Sequence, residues 1–109
     1  MEVSPVAKYL NTKELVPGIV MNVVAVGGKL MQTYVTLKKG AQLPVHTHPH
    51  EQSSYVMSGH MVFTVDGVEH DCPAGSGLVF APSQPHGARV LEDTCVADVF
   101  SPIREEYLK

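Results

Sequence analysis

Short segments rich in β-branched and aromatic residues recur along the chain, at 20–26, 31–37, 53–57, 61–65, 78–80 and 95–100. Between them stand turn signals at short and fairly even intervals: Pro17-Gly18, Gly27-Gly28, Lys39-Gly40, Ser58-Gly59, Asp66-Gly67, 73–77, 82–85, Glu92-Asp93 and Ser101-Pro102. Short strands at this spacing predict an all-β sandwich or barrel. Gly27-Gly28 and Asp66-Gly67 read as two-residue hairpin turns, whose positive φ angles match the twist of the flanking strands, so neighbouring strands are expected to be antiparallel. No segment shows helical periodicity of useful length, although 103–108 can form one turn after Pro102, whose ring presets a helical φ. Residues 1–15 carry no clear pattern and are expected to pack loosely on the sheet.

The 109 residues suit one domain, 1–109, with one modest core. Apolar residues make up 44% and charged residues 17%, the mix of an ordinary globular protein. Eight basic against eleven acidic residues give a net charge of −3, and Lys38-Lys39 is the only basic pair, so nothing tracks a nucleic-acid backbone. The longest apolar stretch, 19–26, is interrupted by Asn22 and is too short to span a membrane; with no secretory signal pattern, a cytoplasmic location is expected. In a reducing compartment Cys72 and Cys95 are expected to be free thiols, one or both in the core.

The chemistry concentrates in 40–52, Gly40-Ala-Gln-Leu-Pro-Val-His46-Thr-His48-Pro-His50-Glu51-Gln52. On an extended strand, side chains two apart share a face at a separation of roughly 6.6 Å, so both imidazoles of a His-x-His pair can converge on one ion. By the same period Glu51 should point away from Gln52. Pro49 separates His50 from His48 and favours a place for His50 at the rim or behind the ligands. His60 and His70 follow turn-like or polar residues and are expected in solvent.

Taken with the glycines and a third histidine, these residues resemble the cupin superfamily, small β-barrels of jelly-roll type. Gly40, His46, His48 and Gly59 stand where the first cupin motif has them, with Gln52 where Glu is usual. Gly75 and His86 stand eleven apart as in the second motif, while Ala81, Ser83 and Val90 replace its usual Pro, Gly and Asn. The resemblance implies a single cupin jelly roll with a short C-terminal tail. It implies one divalent transition metal (Ni, Zn, Mn, Fe or Cu) held by His46, His48, Gln52 and His86, because imidazole and oxygen donors accept any of these. Three neutral imidazoles and an amide leave the ion's charge uncompensated, which favours an anionic substrate or an activated water.

The tail is the second informative stretch. Asp98 lies within an otherwise apolar segment, where an unpaired carboxylate is expensive, so it should have a partner or a task. Arg104 follows Ser101-Pro102 and can fold back over the barrel mouth; an Asp98–Arg104 ion pair that ties down the tail is the structural alternative. The Asp-x-Phe-Ser-Pro-x-Arg tail, together with Gln52, resembles a group of short cupins of pectin breakdown, which open 4,5-unsaturated uronic acid rings to linear keto sugars. That resemblance implies a small anionic sugar substrate, with Asp98, Phe100 and Arg104 as the substrate-handling, catalytic residues. Tyr55 and Gln32 are further pocket candidates. Cupins of other kinds remain open: a metal-dependent dioxygenase, or a non-enzymatic metal- or sugar-binding module. A homodimer is expected, with a strand such as 20–26 exposed for pairing between subunits.

Overall fold

The computed structural model describes residues 11–109. Ten strands are followed by one short 3-10 helix: β1 (Asn11–Val16), β2 (Ile19–Val26), β3 (Met31–Leu37), β4 (Gln42–His46), β5 (Glu51–Ser58), β6 (His60–Val65), β7 (Val68–Pro73), β8 (Gly77–Phe80), β9 (His86–Val90), β10 (Thr94–Ser101) and η1 (Glu105–Leu108). They form a six-stranded sheet in the order β1-β2-β3-β10-β5-β8 and a four-stranded sheet in the order β4-β9-β6-β7. Every strand pair is antiparallel. The two sheets pack as the expected all-β cupin sandwich.

Alternation decides what each strand buries. In β10, Thr94, Val96, Asp98 and Phe100 are buried while the residues between them are partly exposed. Register carries these positions into rows across the sheet. Val96 lies beside Val35 and Val56, Asp98 beside Thr33 and Ser54, and Phe100 beside Met31 and Gln52. One end of the core is therefore apolar, built from residues such as Met21, Val35, Val56 and Met61, and the other end is polar. Burial of Val56 and Met21, fully shielded from solvent, contributes roughly 1.5–3 kcal/mol each to the sandwich.

Glycine is required at two joints. Gly59, with φ +89°, is the single residue between β5 in one sheet and β6 in the other; a Cβ there would fall 2.3 Å from the Asp93 carbonyl oxygen. Gly87 follows His86 on β9, and its Cβ would meet the Leu43 carbonyl oxygen at 2.8 Å and the Val45 nitrogen at 3.0 Å. Strand β4 thus lies against bare backbone just before it delivers His46.

Several sequence expectations change. Asp66-Gly67 is a two-residue turn with φ of 50° and 79°, as expected, but Gly27-Gly28 belongs to a four-residue connection, 27–30, closed by Gly27 N donating to the Leu30 carbonyl at 2.7 Å, and neither glycine has positive φ. Residues 11–15 form most of β1 instead of packing loosely, because β2 offers them a free edge; residues 1–10 of that expectation lie outside the described residues. As a result 20–26 is not an exposed pairing strand, since β2 is covered on both edges by β1 and β3. Strands β4, β7 and β9 lacked a sequence signal. The helical turn after Pro102 exists but begins later, at Glu105. Cys72 is buried and Cys95 partly so, both as free thiols. Among the described residues no helix is long and apolar enough to cross a membrane.

Candidate metal centre and pocket

His46 ends β4, and the chain then leaves the sheet, so His48 sits in the connection to β5 rather than two places along a strand. The His-x-His pair converges through this bend, with ring centroids 5.8 Å apart. His86 opens β9 directly opposite His46 in register. Its ring centroid lies 4.4 Å from that of His46 and 4.9 Å from that of His48. One donor nitrogen from each of the three histidines lies within 4.8 Å of the other two.

The tautomers suit ligation. Nδ1 of His46 donates to the Pro44 carbonyl at 2.9 Å, and Nδ1 of His86 donates to the Gln84 carbonyl at 2.8 Å, so in both rings the proton sits on Nδ1 and Nε2 keeps its lone pair. His86 Nε2 is buried with no hydrogen-bond partner. Burial, followed by the positive field of Arg104, lowers the pKa of His48 to about 4; burial likewise lowers that of His86. The His48 and His86 imidazoles are therefore held neutral, as a ligand must be.

Gln52 begins the inward row of β5. Its Oε1 accepts a hydrogen bond from His48 Nε2 at 3.0 Å, through a proton that a bound ion would displace, and its Nε2 donates to Ser54 Oγ at 3.0 Å. Donors each about 2.1 Å from one ion and at right angles lie roughly 3.0 Å apart, so this spacing fits a metal site completed by an amide oxygen. Glu51 is exposed on the opposite face, as expected. A divalent metal therefore fits these residues.

Ser54 in turn donates to Asp98 Oδ1 at 2.5 Å. Asp98 is 9% exposed, and desolvation raises its pKa to about 6 against the pull of the Ser54 and Gln52 donors and of Arg104. Asp98, Gln52, His46, His86, Phe100, Arg104 and Tyr107 line one pocket between the sheets. Arg104 reaches it from the tail, as expected, yet forms no ion pair with Asp98. The guanidinium carbon lies 4.2 Å from the Tyr107 ring centroid and 5.4 Å from that of Phe100, and Glu106 Oε2 is 3.6 Å from Nε. At that separation Nε remains buried without a hydrogen-bond partner. Phe100 is nearly fully buried, edge-on to both His48 and Tyr107, so it packs the ligand loop against the tail as well as walling the pocket.

Two pocket candidates are displaced: Tyr55 and Gln32 are exposed on the outer face, because each is one residue out of phase with the inward rows. His50 is buried, with its ring centroid 5.4 Å from that of His48, and stands behind the cluster. His70 is exposed as expected, whereas His60 is partly buried and bonded to Asp71 at 2.6 Å. Sequence reasoning missed Ser54 and Tyr107. For Ser54 a signal existed, its place two residues after Gln52 on one face; nothing in the sequence marks Tyr107.

A cupin-domain family model matches residues 33–101. KdgF from Halomonas sp. superposes with a TM-score of 0.83 at 33% identity, over 88% of this chain and 89% of that one. An RmlC-like cupin from Shewanella frigidimarina gives 0.88 at 30% identity, over 98% and 99%. Salicylate 1,2-dioxygenase from Pseudoaminobacter salicylatoxidans shares the fold alone, with a TM-score of 0.76 at 15% identity over 81% of this chain and 27% of that one. No curated protein matches. The matched segment contains all three clustered histidines, Gln52 and Asp98, and the chain belongs to the cupin family.

Proposed function

We propose that the chain opens the ring of 4,5-unsaturated uronic acid monosaccharides to linear keto sugars, with one divalent metal ion held by His46, His48, His86 and Gln52. The observation that carries this reading is that Asp98 and Arg104 line one pocket yet are not paired with each other, so a proton carrier and a cation both remain available beside the histidine cluster. The likeness to KdgF from Halomonas sp., with the Gln52 and tail residues that resemble uronate-opening cupins, supports the substrate class.

The bound metal would supply Lewis acidity toward substrate oxygens. Arg104, which lines the same pocket, offers its guanidinium to the substrate carboxylate, a charge-assisted contact that the planar group favours. Asp98, with a pKa near the working range, accepts the proton of the anomeric hydroxyl. The bond from C1 to the ring oxygen breaks, leaving an aldehyde at C1 and an enolate at C5. The enolate becomes a ketone as C4 takes up the same proton, which Asp98 returns. The reaction is an isomerisation and needs no oxidant. Phe100 and Tyr107 hold Arg104 in place and keep bulk water from the carboxylate.

Incubation with unsaturated galacturonate tests the reading. The conjugated double bond should be lost without oxygen uptake. Oxygen consumption by iron-loaded protein on an aromatic acid, with the uronate untouched, would move the chain to the oxygenase class.

A homodimer belongs to the same reading. The outer face of β3, β10, β5 and β8 carries Tyr34, Ala97, Val99, Tyr55, Met57 and Val79, and its one acid, Glu51, lies at the end. A charge-poor sheet face of this kind suits a second copy. Light scattering should report a dimer that Val79→Lys splits into monomers; a monomeric wild type would exclude it.

A further inference from the structure

We propose that Ser54 is a positioning residue that orients the Gln52 amide and the Asp98 carboxyl together, so that the metal donor and the proton carrier are built as one unit; this rests on the function proposed above.

Ser54 is 1% exposed. It follows Gln52 by two on β5, so both side chains face inward, and it stands directly opposite Asp98 on β10. Its hydroxyl has one proton and two lone pairs. The proton goes to Asp98 Oδ1. Toward Gln52 the hydroxyl can then only accept, and it does so from Nε2 at 3.0 Å. The amide is thereby turned with Oε1 toward His48, at 3.0 Å. A flipped amide would set its oxygen against the lone pairs of Ser54 and its N–H groups toward the histidine nitrogens, where no cation could be held. The same hydroxyl pins one oxygen of Asp98. A buried serine filling space alone would do neither.

The roles separate in an experiment with Ser54→Ala and Ser54→Cys; the latter keeps the shape with only a weak donor. Stripped protein is titrated with Ni²⁺ against a competing chelator, and ring opening of unsaturated galacturonate is measured at saturating nickel, in the wild-type and Asp98→Asn backgrounds. Whichever variant retains a cooperative melt is read. Nickel affinity should fall about tenfold or more in both backgrounds, the usual loss when the group that orients a metal ligand is removed. Turnover should fall at nearly constant KM in the wild-type background, with no further fall once Asp98 is Asn. Nickel affinity within about twofold of wild type, or an equal loss of turnover in both backgrounds, would overturn the inference. A wild type that binds nickel but opens no uronate sinks the substrate reading and leaves the nickel titration to judge Ser54. A wild type that binds no nickel defeats both.

Discussion

Arg104 stacks its guanidinium 4.2 Å from the ring centroid of Tyr107 and leaves Asp98 unpaired, although both charged groups line the same pocket. Aromatic faces hold a guanidinium in place without consuming its hydrogen-bond donors, which an ion pair with Asp98 would have done. The cation is thus fixed and still able to bind an anion.

Arg104→Lys should therefore raise KM for unsaturated galacturonate roughly tenfold while leaving kcat within a few-fold, since an ammonium cannot make the planar two-pronged contact. Steady-state kinetics on the two proteins checks this. A large fall in melting temperature with unchanged KM would return Arg104 to a purely structural role.

Gln52→Glu should retain metal and lose activity. The carboxylate reduces the ion's Lewis acidity and repels the substrate carboxylate. It also removes the amide N–H that Ser54 accepts, so a single hydroxyl proton would face two carboxylates, at 52 and at 98. Metal analysis and turnover on the same sample decide: full occupancy with wild-type turnover would place Gln52 outside the ligand set.

Gly87→Ala probes the link between fold and site. Its Cβ would press on the Leu43 carbonyl and Val45 nitrogen of β4. That backbone must shift, and His46 follows Val45 directly. The expected result is nickel affinity reduced about tenfold in a protein that still melts cooperatively; overpacking of this kind costs about 1–3 kcal/mol. Unchanged nickel affinity would show that β4 can relax without moving His46.

Much of this arrangement was legible beforehand. His46, His48, His86 and Gln52 were identifiable from spacing and family resemblance, and the inward phase of Gln52 against Glu51 follows from a period of two. The same period excludes Tyr55, which is one residue out of phase with Ser54, so that candidate failed on information the chain already contained. The four-stranded sheet was largely hidden. Val68–Pro73 is exposed at all but one position and Gln42–His46 has no fully buried residue, so neither shows the alternation that marks a half-buried strand. Ser54 and Thr33 look like ordinary strand residues. Only the register that places Asp98 between them gives them meaning.

The pH dependence of metal-free protein has two opposing parts. Asp98 is raised in the fold to about 6 from 3.8, so the folded state binds more protons than the unfolded one in that interval, and this group's contribution makes the protein less stable as pH rises from about 4 to 6. At roughly 1.4 kcal/mol per unit the penalty above pH 6 is about 3 kcal/mol. His48 is lowered to about 4 from 6.5, so the unfolded state binds more protons between those values and stability falls as pH drops through them. His86, likewise lowered by burial, adds to the histidine part, so in the wild type Asp98 offsets only some of it. Asp98→Asn leaves the histidine term unopposed. Thermal melts of chelator-treated proteins should show a variant that loses stability from pH 6.5 to 4 more steeply than the wild type, and that gains on it toward pH 7. Parallel curves would mean that Asp98 titrates normally.

The central claim is that Asp98 moves the proton in ring opening. Its most direct test is the rate at which the conjugated double bond of unsaturated galacturonate is lost, in wild type and Asp98→Asn at equal metal content and at pH 7. Asparagine keeps an oxygen to accept the Ser54 hydroxyl but cannot exchange a proton, so turnover should fall by roughly 10²–10⁴ with KM little changed. Turnover within about threefold of wild type in the fully metal-loaded variant would contradict the account.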